Sequence, residues 1–125
     1  MSADDLSPDS VWPLPPAWMF ACGECHRLYE RMKDIQALTA ELWLTGERGV
    51  DWDPFDMGPG SQIRLARHLA EVHTDLLPGW TRGCEHCAHR RSLLARDPGS
   101  AGARLVSAQH RAGHLFLPPR TLGLV

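Results

Sequence analysis

The chain has 125 residues, a formal charge of -2 and a hydrophobic content of 43%, enough to bury a modest core in one domain or two very small ones. No apolar run reaches the roughly 20 residues that span a bilayer. The opening MSADDLSPDS is acidic and polar where a secretory leader is basic and then apolar, so a cytoplasmic protein without membrane contact is expected. In that reducing compartment, four cysteines arranged as two C-x2-C pairs point to metal chemistry ahead of disulfides.

Residues 1–17 end in VWPLPPA, whose prolines favour extended chain. They form an N-terminal tail in which Trp12 is placed to dock on the body. From there Leu28, Met32, Ile35, Leu38 and Leu42 recur every three or four residues between charged ones, the pattern of an amphipathic helix of about four turns. GERGVDWDPFDMGPG, residues 46–60, is too rich in Gly, Pro and Asp to continue that helix and reads as a loop. Ser61 suits the N-cap of a second helix running to His73, with Ile63, Leu65, Leu69 and Val72 as its apolar side. After PGW at 78–80, a short helix is expected over about 89–95. Asp97-Pro98 then makes a cap and first turn for a helix reaching toward His114, and LFLPPRTLGLV forms a C-terminal extension.

Two stretches repeat each other. Trp18 and Trp80 each stand four residues before a cysteine; Cys22, Cys25, His68 and His73 are followed in the same order by Cys84, Cys87, His110 and His114; Pro78 and Pro118 close each series. This is read as an internal duplication of one metal-binding unit, occupying residues 18–79 and again 80–125. A C-x2-C turn presents two thiolates to one ion, and two neutral imidazoles from a helix complete a closed tetrahedron, the chemistry of a structural Zn2+ site. Two zinc ions are expected. His110 and His114, four apart, share a helix face, whereas His68 and His73, five apart, lie about 140° round an ideal helix, so the helix end must loosen between them. A single four-Cys site and cross-braced sites with exchanged ligands stay open at this point. His26, His86 and His89, beside or within the knuckles, read as exposed or supporting residues.

The ligand order resembles that of two-Cys, two-His zinc fingers, and HTDLLPGWTRGC between the units is similar to the linker joining such fingers. The resemblance implies the eight ligands above, structural zinc, and nucleic acid as the partner. It departs from the family in spacing: forty-two residues separate Cys25 from His68 and twenty-two separate Cys87 from His110, against about twelve in the usual finger. A hairpin-plus-one-helix finger does not span such intervals. The fold class expected is mostly α, a small zinc-stabilised helical protein made of two duplicated zinc-knuckle-plus-helix units.

Charge divides the chain. Residues 1–79 hold six Lys/Arg and thirteen Asp/Glu, whereas residues 80–125 hold seven Arg against Glu85 and Asp97 alone. The basic half offers Arg82, Arg90, Arg91, Arg104 and Arg111 to phosphates or base edges. The tryptophan-bearing stretch DWDPFD makes the loop around Trp52 the alternative anchor, for a protein partner, while Trp43 is expected to pack. A hydrolase is the third reading, because HLAEVH sets Glu71 between His68 and His73; it is neither H-E-x-x-H nor a deaminase signature. With four ligands at each site no position is left to activate water, so a non-enzymatic regulatory role is expected. Oligomeric state is not legible.

Overall fold

The first cysteine of each pair takes an extended backbone conformation and starts a helix. The computed structural model, which describes residues 11–45 and 54–124, contains among them α1 (Ala17–Ala21), α2 (Gly23–Thr45), α3 (Pro54–Val72), α4 (Glu85–Arg96) and α5 (Ala101–Gly113). Short 3-10 turns follow at Thr74–Leu76 and Pro119–Leu124. No strand occurs among the described residues, so the mostly helical class expected is the one observed.

Cys84 sits at φ -88° and ψ 116°, and its sulfur accepts the Cys87 N–H at 3.4 Å. A thiol thereby stands where Ser or Asp usually caps a helix. Cys22, at φ -90° and ψ 118°, accepts the Cys25 N–H at 3.5 Å in the same way. The knuckle is thus the first turn of the helix, which is why α2 begins at Gly23 and not at Leu28, and α4 at Glu85 and not near residue 89.

Two further boundaries differ from expectation. α3 begins at Pro54, inside the stretch read as loop, because proline suits the first helical position, where its missing N–H has no partner anyway. Pro59 lies within the helix, and Ser61, expected as the cap, is a buried interior residue whose hydroxyl donates to the Gly58 carbonyl at 2.7 Å. At the other junction the cap of α5 is Ser100, accepting the Ala103 N–H at 3.1 Å, while Asp97 terminates α4 by donating its N–H to the Leu93 carbonyl at 3.3 Å. The Trp52 loop lies outside the described residues, as does the expected packing of the Trp43 side chain.

α2 packs on α3, α4 on α5, and α3 on α5, so the two helical pairs join through their equivalent second members. Leu28, Met32 and Ile35 are buried on α2 as the periodicity predicts, but Leu38 is 43% exposed. On α3 the buried stripe is Leu65, Ala66, Leu69 and Ala70, leaving Ile63 and Val72 exposed at 41% and 61%. The cause is that α3 faces two neighbours, and its alanines admit a close approach that a stripe centred on Ile63 would not. One core spans both units: Met19, Cys25, Leu28, Met32, Leu65, Leu69, Ala112, Phe116, Leu117 and Leu122 cluster in it. The C-terminal extension is therefore docked through Phe116, Leu117 and Leu122, and Trp12 lies against the core under the Lys33 ammonium, 4.5 Å from its ring centre.

Phe116, fully buried in that shared core, should be a sensitive reporter of it. Phe116→Ala is expected to lower the unfolding free energy by about 3–5 kcal/mol, read from urea denaturation followed by circular dichroism.

Candidate metal centres

Because α2 starts where α3 ends, and α4 where α5 ends, each antiparallel pair brings a C-x2-C knuckle beside a histidine pair. The structure gathers Cys22, Cys25, His68 and His73 into one group and Cys84, Cys87, His110 and His114 into another, with the donor atoms of each group within 4.8 Å of one another. Cys22 Sγ is 3.6 Å from His68 Nε2, Cys84 Sγ is 3.4 Å from His110 Nε2 and Cys87 Sγ is 3.2 Å from His114 Nε2. A tetrahedron with metal–sulfur bonds near 2.3 Å and metal–nitrogen bonds near 2.0 Å places sulfur and nitrogen roughly 3.5 Å apart. The observed separations fit it. The arrangement is sequential, one group per helical pair, and neither the four-Cys nor the cross-braced alternative is brought together. His26, His86 and His89 are exposed and belong to neither group.

His73 illustrates how five-residue spacing is accommodated. α3 ends at Val72, and His73 leaves helical geometry at φ -118° and ψ 33° while its N–H still bonds the Leu69 carbonyl at 2.9 Å. The ring is thereby released from the 140° offset and meets His68, centroid to centroid, at 5.3 Å. At the other site His110 is fully buried and His114 caps α5, their rings 5.0 Å apart.

The electrostatics of both groups call for a cation. Cys22 is pulled down to about 6 by the Cys25 N–H and by the neighbouring His68 and His73 rings, whereas burial, then the neighbouring Cys22, pushes Cys25 up to about 12. Burial likewise raises Cys87 and holds His114 below the ordinary imidazole range, favouring the neutral ring that ligation requires. Two thiolates side by side in a buried site repel unless a dication lies between them. His73 Nε2 is buried with no hydrogen-bond partner among the described residues, a nitrogen that a metal would satisfy. The donor set thus fits a metal ion in each group.

Supporting contacts were not all foreseen. Thr81 donates its N–H to Cys87 Sγ at 3.4 Å, and Gly83 adopts φ 85°, a left-handed turn before Cys84 that a side chain would strain. The repeated tryptophans, visible in the sequence without a role, take different ones: Trp18 lies 5.3 Å from the His73 ring, while Trp80 carries the Arg111 guanidinium 5.5 Å from its centre. No protein-family model matches the sequence, and no curated protein or solved structure matches it either.

Of the arginines singled out in the sequence, Arg82, Arg91 and Arg104 are exposed and Arg90 and Arg111 half-buried. Arg82 and Arg91 border one cleft beside the second group.

His73→Ala and His114→Ala should each lose or weaken one bound metal ion of two in native mass spectrometry, leaving the other group loaded. Below about pH 9, where the raised thiols of Cys25 and Cys87 carry their protons in the folded and the unfolded chain alike, acid should act in one direction on both groups. The unfolded chain protonates the Cys22 position before the folded chain does, and takes up a proton at the His114 position first as well, so stability falls as pH drops. Metal content after dialysis is expected to be full above neutrality and to decline below about pH 6, where ligand protonation competes with binding.

Proposed function

We propose that the chain is a non-enzymatic regulatory protein in which two structural zinc ions, one per helical pair, hold an arginine-bearing surface that binds nucleic acid. Two thiolates and two imidazoles at tetrahedral separations are the donor set that zinc favours, and four protein ligands close its coordination sphere. Water activation would need an open position. The carboxylate best placed by sequence for a hydrolase, Glu71, instead accepts from Arg67 Nε at 3.0 Å on the surface of α3.

The observation that carries the nucleic-acid reading is a difference in charge pairing. In the first unit Arg27 is paired with Glu24 and Arg67 with Glu71, while Arg31 and Arg64 are in no ion pair among the described residues. In the second, none of Arg82, Arg90, Arg91, Arg96, Arg104, Arg111 and Arg120 is in an ion pair among the described residues. Unpaired guanidinium groups on one half of a slightly acidic chain supply a local attraction for phosphate without needing a basic protein overall. α4 contributes Arg90, Arg91 and Arg96 from a helix on which Cys87 is the one buried residue. The adaptor reading rests on the Trp52 loop, and no described residue strengthens it.

Zinc-loaded protein should shift labelled nucleic acid in a salt-sensitive manner, and the double variant Arg90→Gln/Arg91→Gln should weaken binding roughly ten-fold and flatten the dependence of log K on log salt by about 1–2. Absence of any binding at low salt would overturn the reading, and hydrolysis abolished by Glu71→Gln would replace it. Chelation of zinc should unfold the helices, since such sites contribute on the order of 10 kcal/mol to folding, seen as loss of the helical circular dichroism signal.

A further inference from the structure

The two tryptophans that precede the knuckles occupy equivalent positions in the duplication but do different things. Trp18 packs against the shared core and the His73 ring. Trp80 is not part of that packing; it borders a cleft of about 390 Å³ together with Arg82, Gly83, Cys84, Cys87 and Arg91. A cleft of that size is within the range of small-molecule sites. The left-handed turn at Gly83 lets Arg82 and the metal-facing Cys84 border the same depression. Arg111 touches the Trp80 ring at 5.5 Å and is not among the residues lining the cleft. The indole thus carries a cation over its ring and borders open space, with two exposed arginines lining the same cleft.

That arrangement distinguishes kinds of nucleic acid. An aromatic ring in a cationic cleft offers a stacking surface to any base, and cations beside it meet the phosphates that flank that base. In a duplex the base faces are already stacked on one another and only edges and backbone are presented. We propose that the cleft holds an unpaired nucleobase stacked on Trp80, with Arg82 and Arg91 on the adjoining phosphates, so that the preferred ligand is single-stranded. This inference rests on the nucleic-acid reading above and narrows it.

The test uses zinc-loaded, full-length protein and fluorescence anisotropy with a labelled oligothymidylate of about a dozen nucleotides, a length suited to one such groove, and with a duplex of equal length. The single strand is expected to bind at least about ten-fold tighter than the duplex. Trp80→Phe should keep most of that affinity and Trp80→Leu should lose roughly ten-fold, the loss expected of a stacking contact. Arg82→Gln and Arg91→Gln should each lower the single-strand salt slope by about 0.7. Zinc content and circular dichroism establish that each variant is folded; because Leu retains bulk, it separates stacking from packing. Duplex binding as tight as single-strand binding, or equal binding by the Phe and Leu variants, would overturn the stacking site while leaving nucleic-acid binding in place. Binding of neither oligonucleotide would overturn both.

Discussion

The convergence of two thiols and two imidazoles at the base of each helical pair is the constraint on which the rest of the molecule depends. A C-x2-C knuckle is useful to a metal only where both sulfurs point inward, and here the first sulfur is held by capping a helix while the second rides in that helix's first turn. The histidines arrive from the opposite direction, at the end of the partner helix. Antiparallel packing follows from this placement, since one helix must begin where the other finishes. The buried cysteines Cys25 and Cys87 belong to both the metal groups and the hydrophobic interior, so the ligand geometry and the core cannot be perturbed separately.

The duplication explains how two such different intervals between cysteine and histidine serve the same purpose. In the first unit helices of 23 and 19 residues separate the ligands, and in the second helices of 12 and 13. At 1.5 Å per residue the first hairpin is longer by roughly two-thirds, yet both return to their own knuckles. Hairpin length is free to change as long as both arms change together. The ligand separation depends on the base of the hairpin and is insensitive to where the tip lies.

Divergence between the units falls at positions the metal does not fix. Ahead of the first knuckle the chain forms α1 and buries Met19; ahead of the second it makes a glycine turn at Gly83 and leaves Trp80 beside a cleft. Two arginines of the first unit, Arg27 and Arg67, are held in ion pairs, whereas none of the second unit's is among the described residues. Both copies thus keep the same ligand set, while their surface chemistry differs. The proposed binding role belongs to the copy with the shorter helices.

Much of the metal-binding scheme was legible in the sequence. Thiols and imidazoles are chemically distinctive, their order repeats, and a repeat carries information that no single histidine does; the helical class was equally readable from the three- and four-residue recurrence in Leu28, Met32 and Ile35. What the sequence left open was decided by tertiary contact. Sequential grouping of ligands over a four-Cys or cross-braced arrangement required α2 to lie against α3 and α4 against α5. The buried face of α3 was only half legible in Ile63, Leu65, Leu69 and Val72: Leu65 and Leu69 are buried, but facing two helices at once favours the alanines at 66 and 70 over a larger side chain at 63. Helix starts moved for a related reason: a thiol is not an ordinary cap, and it serves as one here because the knuckle holds its sulfur over the next turn's N–H. Local chemistry thus identified the groups able to bind a metal, and packing chose which of them meet, since distances between segments far apart in sequence are set by helices fitting against one another.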